Sequence, residues 1–591
     1  MNSNATHASS VNLPGIASFR PRAVLASLLL SLWAGAAQAQ SFRVVSVRPV
    51  SNARSAPRTT PVTARFSQTL NTATATQQAF KVFSQQAGGR KAGNIVSNTS
   101  NRDTISLLPT RPFKAGETVF ATVTTAIRSN NDQPLDKPQV FQFTTAVARS
   151  AGVFVPGSDP TVGNAPADVA VGDIDGDGDL DLLTTSPSAR AVSVRLNNGS
   201  GSFSGTQEVS IGSQPYGLTL GDVDSDGDLD LLTLASNLSS STETLIVRLN
   251  NGASTFGAGS EVAVGGLGSR SIALADIDGD GDLDALTSGI IRTISVRLNN
   301  GAGVFSGSQE VSVDTAPYSV ALGDVDNDGD IDLLAANLGA SNVSIRLNNG
   351  AGVFSGTQNV ALPLYTPNSV ALGDVDGDGD LDFVATGTNP FGDGVASIQL
   401  NNGVGTFSIS GLVSVGRSPQ KVAIGDVDGD GDLDFTTVNG SSNTVSVRLN
   451  NGQGTFSGNA EVAVGNQPAS LILADVDGNN TLDIITANAQ ASTASVRLNS
   501  QVLATKSAQK TGPLSLYPNP AHGSVRLQLP SGYSGQTGQV SLINALGQVV
   551  LQQPLSTAAA PELALPSLAP GIYTVQLNIN QATLATRLVI E

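Results

Sequence analysis

From Phe42 to Val147 the chain runs in short segments where apolar and polar positions alternate: FRVVSV, VTARF, FKVF, TISLLP, TVFATVTTAI and VFQFTT, parted by Pro, Gly and Asn. A period of two is that of a strand buried on one face, and such closely spaced turns predict a small β-sandwich. Beyond residue 150 the period persists but the chain begins to repeat itself. Each unit holds an apolar strand such as YSVALGD, an aspartate-rich loop, a strand such as IDLLAAN, another such as NVSIRLNNG, and a fourth beginning GVFSG. Loop starts fall at Asp173, Asp222, Asp276, Asp324, Asp374, Asp426 and Asp475, at intervals of 49, 54, 48, 50, 52 and 49. Four strands in about fifty residues make one propeller blade. No segment carries the 3.6-residue period of a sustained helix.

The ends of the repeat predict how it closes. The RLN or QLN element occurs seven times and ends with Arg497-Leu498-Asn499, after which no GxF strand follows. The missing strand stands at the front, where Gly152-Val153-Phe154 precedes the first loop. An offset of this kind lets the first fourth-strand complete the last blade, so that no open sheet edge remains. The predicted fold class is therefore all-β, a seven-bladed propeller with a β-sandwich before it and a small β-sandwich behind.

The N-terminus reads as an export signal. Arg20 and Arg22 precede the apolar run AVLASLLLSLWAGAA, and Ala37-Gln38-Ala39 supplies a small-x-small cleavage pattern. That run is too short for a permanent membrane anchor, and no later segment is apolar enough for an integral membrane span. The expected division is 1–39 signal peptide, 41–148 sandwich, 150–500 propeller, 501–512 linker and 513–591 terminal module.

The chain has 591 residues and a formal net charge of -17, but 33 of its 48 acidic residues lie in the seven loops. Outside them, 31 basic side chains face 15 acidic ones, and residues 41–149 alone hold 14 basic against 4 acidic. The basic sandwich is expected to be a solvated surface or spacer, and no nucleic-acid partner is expected. There is no cysteine, which excludes disulfides, thiolate metal sites and a cysteine nucleophile. The two histidines, His7 and His522, lie outside the repeats, so a Ser-His nucleophile is absent there.

Carboxylates this dense repel at roughly 4 kcal/mol per contacting pair for an effective dielectric near 20, and need a positive partner. The expected metal residues are Asp173, Asp175, Asp177, Asp179 and Asp181 in the first loop, then Asp222, Asp224, Asp226, Asp228 and Asp230. Next come Asp276, Asp278, Asp280, Asp282 and Asp284, and Asp324, Asp326, Asp328, Asp330 and Asp332. The fifth and sixth loops offer Asp374, Asp376, Asp378, Asp380 and Asp382, and Asp426, Asp428, Asp430, Asp432 and Asp434. The seventh departs from the pattern, with Asp475, Asp477, Asn479, Thr481 and Asp483.

Side chains at loop positions 1, 3, 5 and 9 turn inward, position 7 adds a backbone carbonyl, and the residue at 6 makes the sharp bend. An all-oxygen set selects calcium over zinc, and its flexibility selects calcium over magnesium. Up to seven ions are expected, the seventh held more weakly because Asn479 replaces a carboxylate. An EF-hand is excluded, since its twelfth-position glutamate is here Thr184, Thr233, Thr287, Ala335, Ala385, Thr437 or Thr486, and strands rather than helices flank the loops. The recurring DxDxDGxxD resembles FG-GAP or VCBS repeats, the blades of integrin α-subunit propellers.

Two further resemblances complete the reading. Through TARFSQTL, LLPTRPFKAGETVFATVTTAI and QFTTAV, the first module resembles bacterial Ig-like domains. LSLYPNPAHGSV, VSLINALGQVV, LAPGIYTVQL and TRLVIE resemble the C-terminal sorting domain of type IX secretion substrates. That resemblance implies the type IX secretion machinery as a partner and a secreted or outer-surface location.

Aromatic and charged residues are expected on the face away from the Asp loops: Tyr216, Tyr318, Tyr365, Phe391, Asp393 and Arg270. Glu208, Glu261, Glu310 and Glu461 recur at one position and read as blade architecture, leaving Asp159, Asp168, Glu243, Asp314 and Asp393 as irregular acids. The expected function is an exported calcium-binding propeller that acts as a non-catalytic surface or secreted adhesion protein, with an unknown protein or glycan ligand on the loop-free face. Two alternatives are a carbohydrate-binding module and, third, a polysaccharide-active enzyme.

Overall fold

The structure is a computed structural model. It describes residues 41–86, 89–97, 102–237, 242–265, 268, 270–289, 291–501, 514–529, 537–544, 548–556, 562–565, 568–579 and 582–591. The expected export signal, His7 and the expected linker beyond Gln501 lie outside the described residues.

Residues 42–145 form two sheets. One pairs Val44–Arg48, Val62–Phe66, Thr104–Pro109 and Gly93–Ser97 in that order; the other runs Ala53–Ala56, Gln139–Thr145, Thr118–Val123, Phe80–Ser84 and Gly89–Arg90. The alternation seen in the sequence points one set of side chains inward, where Phe42, Phe66, Phe113, Phe141 and Phe143 are buried in a common core.

Seven four-stranded antiparallel sheets follow. In the fourth, Pro317–Gly323, Asp332–Asn337, Asn342–Asn348 and Phe354–Ala361 pair in chain order, and the first three sheets and the fifth and sixth are built alike. The last sheet takes three strands, Pro468–Ala474, Asp483–Asn488 and Thr493–Gln501, from the end of the repeat. Its fourth is Ser150–Pro156 from the front, with Phe154 opposite Asn499.

Neighbouring sheets are joined by the recurring RLN element. The side chains of Asn197, Asn250, Asn299, Asn348, Asn401, Asn450 and Asn499 each donate to the carbonyl after the first loop aspartate of another sheet, at 2.7–2.8 Å. Six of these bonds run from a sheet to the one before it, and the seventh runs from Asn197 in the first sheet to Val476 in the last. The arginine of the element reaches the same way, Arg195, Arg297, Arg346, Arg448 and Arg497 donating Nε to carbonyls in or just beyond the neighbouring outermost strand at 2.7–3.0 Å. Glu208, Glu310 and Glu461 pair with Arg195, Arg297 and Arg448, which is the architectural role their recurrence predicts.

In the terminal module, Val549–Ser556, Thr537–Ile543, Gly571–Ile579 and Ala582–Ile590 form one sheet, and Ser515–Tyr517, Ser524–Gln528 and Glu562–Ala564 another. Leu527, Leu542, Leu563, Val575 and Leu588 fill its core. His522 is on its surface, with Nδ1 3.0 Å from the carbonyl of Glu591.

Candidate metal-binding site

Every Asp loop joins the first strand of a sheet to the second. The ninth-position aspartate opens the second strand: Asp181 lies opposite Gly172 and Asp434 opposite Gly425. Its carboxylate is held by two backbone donors. One oxygen accepts the N–H of the RLN asparagine at 2.7–2.9 Å, and the other the N–H of the second loop residue at 2.9–3.2 Å. Lone pairs on both oxygens remain for a ligand.

The sequence-predicted ligands converge. Asp222, Asp224 and Asp230 bring one oxygen each within 4.8 Å of one another, as do Asp276, Asp278 and Asp284, Asp324, Asp326 and Asp332, and Asp374, Asp376 and Asp382; in the first loop the trio is Asp173, Asp175 and Asp177. Burial is the main cause that raises the carboxyl of Asp230 to about 7, and those of Asp332, Asp434 and Asp483 to about 8. The first-position groups of Asp222 and Asp426 rise to about 6, also chiefly by burial. Partners that favour the charged form are therefore too few among the protein's own groups.

Asp222 Oδ1 and Asp475 Oδ1 are buried without a hydrogen-bond partner. An oxygen left so in an all-oxygen cluster fits a hard divalent cation. Aspartates at positions 1, 3 and 9 and the carboxyl or amide oxygen at 5 would hold it. Bound there, it would supply positive charge and fixed oxygen contacts.

Position 7 behaves differently. The sequence reading gives these aspartates only a backbone carbonyl to offer, and the carboxylate of Asp179 sits beside Gly199 of the NNG turn, so closely that a Cβ at Gly199 would lie 2.6 Å from it. Asp228, Asp282, Asp330, Asp380 and Asp432 sit alike beside Gly252, Gly301, Gly350, Gly403 and Gly452. The seventh loop has Thr481 there and the chain reads NSQ instead of NNG at the end of its third strand; Thr481 donates to the carbonyl of Asn499. In that loop Asn480 takes φ +68°, the left-handed bend that glycine makes in the other six. Asn479 Oδ1 accepts from the backbone N–H of Thr481 at 2.7 Å, leaving a neutral acceptor where the other loops have a charge.

The basic sandwich turns out to have a partner: it lies on the loops. Lys81 pairs with Asp282 at 2.7 Å, Lys137 with Asp330 at 3.5 Å, and Arg54 with Asp432 at 3.4 Å. Lys114 donates to the carbonyl of Gly178 and Arg58 to Asn480 Oδ1, while the backbone N–H of Arg90 reaches Asp222 Oδ2 at 3.0 Å. The surplus of positive charge at 41–149 thus answers the surplus of negative charge in the loops. Composition disclosed both surpluses, but only the folded chain brings them together.

On the opposite side of the sheets, Tyr365 and Phe391 are strongly exposed. Tyr216, Arg270 and Tyr318 instead line a cavity bordered by all seven first strands. The irregular acids are each engaged separately: Asp159 with Arg497, Asp168 with Lys421 and Ser470, Glu243 with Ser236, Asp314 with Arg292, and Asp393 with the side-chain amide of Asn389. Sequence reasoning noted Asp168 only as irregular and missed Lys421. The signal was their replacement of the serines found at equivalent positions, Ser271, Ser319, Ser369 and Ser470.

Comparison with known proteins agrees with this anatomy. The FG-GAP-like repeat family matches residues 173–233, 289–335, 324–385 and 426–486. The bacterial Ig-like domain family matches 38–145, and the secretion system C-terminal sorting domain matches 515–591. The chain carries FG-GAP-like repeats, with a bacterial Ig-like domain ahead of them and a secretion system C-terminal sorting domain behind them. It is accordingly a secreted protein directed to the cell surface by its type IX sorting domain. No helix among the described residues is long and apolar enough to cross a membrane.

No curated protein matches the sequence. Similar solved structures include the periplasmic gluconolactonase PpgL of Pseudomonas aeruginosa, with 14% identity, 65% of this chain and 99% of that one covered, and a TM-score of 0.39. A protein from Lactobacillus plantarum is similar at 12% identity, over 66% of this chain and 98% of that one, with a TM-score of 0.39.

Proposed function

We propose that the seven sheets form a closed seven-bladed β-propeller whose Asp loops hold calcium, and that the protein acts at or beyond the cell surface as a non-catalytic binding protein of the adhesion type. The observation that carries this reading is one geometry repeated around the molecule: buried ninth-position carboxylates, each fixed by the same two backbone donors, beside acidic clusters with unpartnered oxygens. Closure is supported by the Asn197–Val476 bond and by the strand that Ser150–Pro156 adds to the last sheet.

The ions would fix the hairpins and neutralise the surface on which the Ig-like domain rests. Ligand contact then falls to the other side, where Phe391 and Tyr365 project from loops that differ between blades. A non-catalytic role is supported by the separate, structural engagement of each irregular acid. A carbohydrate-binding reading is favoured by the polar cavity among the first strands.

Calorimetric titration of chelator-treated full chain with calcium tests the first half, and an array of glycans and extracellular proteins probed with and without calcium tests the second. Absence of heat, or of any calcium-dependent binding, would defeat the reading. New reducing ends after incubation with polysaccharides would replace it by the enzymatic one.

A further inference from the structure

We propose that the cavity at the end of the first strands remote from the Asp loops binds the carboxylated sugar unit of an acidic glycan. The proposal rests on the binding-protein reading and gives its carbohydrate form a site. The cavity has a volume of about 530 Å³ and takes residues from all seven sheets. Small-molecule sites span about 300–1,000 Å³.

Its inner ring is architectural. Ser271, Ser319 and Ser369 each accept the N–H of the next sheet's strand, at Val320, Val370 and Val422 respectively, with distances of 3.2–3.3 Å. Farther round, Ser470 donates to Asp168 at 2.6 Å, and Lys421 reaches Asp168 at 3.0 Å. These groups satisfy one another and hold the wall.

The residues one position earlier are another matter. Tyr216, Arg270, Tyr318, Asn368 and Gln420 follow one another along one arc, while Ala167 and Ala469 leave the other arc open. The RLN asparagines and the ninth-position aspartates stay the same in all seven sheets because the same packing recurs around them. An arc of large polar and aromatic groups facing two alanines makes the cavity one-sided, which packing does not require and recognition of an asymmetric molecule does.

The chemistry of the arc specifies that molecule. The Arg270 guanidinium lies 4.1 Å over the Tyr216 ring, and no described carboxylate forms an ion pair with it. A guanidinium held flat presents a fork that fits a carboxylate with two parallel hydrogen bonds. Lys421 is already matched by Asp168, so the cavity offers one unmatched positive charge, suited to a monocarboxylate.

Asn368 spends its Nδ2 on the carbonyl of Pro419 at 2.7 Å, and Gln420 its Nε2 on that of Ser418 at 3.1 Å. Their amide oxygens are left as acceptors for ligand hydroxyls. Tyr318 adds an aromatic face of the kind on which the C–H face of a sugar ring packs. One carboxylate, several hydroxyls and one apolar ring face describe a hexuronic acid.

The test is calorimetric titration of the full chain in millimolar calcium with trigalacturonic acid, and in parallel with neutral maltotriose. The acidic trisaccharide is expected to bind at least about tenfold more tightly, the value of one charge-assisted contact. Arg270→Gln should remove that preference, and Tyr318→Ala should weaken binding, both with unchanged melting and calcium titration. Equal affinity for the neutral sugar, no heat with trigalacturonic acid, or an undiminished preference in Arg270→Gln would overturn the site. If the array finds a calcium-dependent ligand while trigalacturonic acid gives no heat, the cavity proposal falls and the binding function stands. Trigalacturonic acid binding that is sensitive to Arg270→Gln, in a chain that gives no heat with calcium, would do the reverse.

Discussion

Asn197 and Val476 are 279 positions apart in sequence, yet the side-chain Nδ2 of the first sits 2.8 Å from the carbonyl of the second. The bond joins the first sheet to the last with the same geometry that Asn348 uses toward Ile277 between adjacent sheets in mid-chain. Replacement of Asn197 by Ala should therefore cost as much as replacement of Asn348, on the order of 1–3 kcal/mol, because each leaves buried carbonyls without a donor. Urea denaturation of the two variants checks this; a silent Asn197→Ala beside a costly Asn348→Ala would mean that the ends do not meet in solution.

Calcium should raise the melting temperature of the protein. A ligand that binds only the folded state stabilises by about 2.7 kcal/mol per site at a hundredfold excess over its dissociation constant. Titration should resolve six similar sites and one weaker, and Asn479→Asp should bring the seventh toward the others by restoring the missing charge. Identical melting curves in chelator and in millimolar calcium would count against the loops as ion sites.

Lys81 is buried against Asp282 at the contact between the Ig-like domain and the third loop. Lys81→Glu sets two carboxylates in contact there, unfavourable by roughly 4 kcal/mol at an effective dielectric near 20. We expect faster proteolysis in the link between residues 145 and 150, read by mass spectrometry of timed digests. Lys81→Met, which removes the charge without adding repulsion, should lie between the variant and the native chain.

Glu117 is fully buried in the Ig-like domain, and burial raises its carboxyl above the usual glutamate range despite hydrogen bonds from Ser84 and the N–H of Lys114. A raised acid binds its proton more tightly in the folded chain, so stability falls as pH climbs from about 4.3, the unfolded value, through the raised folded value, and then levels off. Below the unfolded value both states are protonated and Glu117 contributes no pH dependence. Glu117→Gln should shrink the loss of domain stability measured as pH rises above about 4.3. An unchanged difference would place the ionised carboxylate within reach of compensating partners.

The strands, the seven Asp loops and the sorting module could be read from sequence because each is written in local periodicity or in a motif of fixed spacing. Even the completion of the last sheet by Gly152-Val153-Phe154 was legible, since the offset of the repeat exposes it. Position 7 was not: what the carboxylates of Asp282 and Asp330 meet depends on glycines in a later turn and on lysines from another domain. The cavity was legible only as scattered aromatic and charged residues.

Sequence by itself therefore determined which elements form and which side chains cluster within a loop, because neighbours along a strand or hairpin are neighbours in space. Tertiary structure alone decided that a basic sandwich covers an acidic face, and that Tyr216, Arg270, Tyr318, Asn368 and Gln420 border one cavity. These residues come from five different sheets, and only the packing of first strand against first strand brings them within reach of a single ligand.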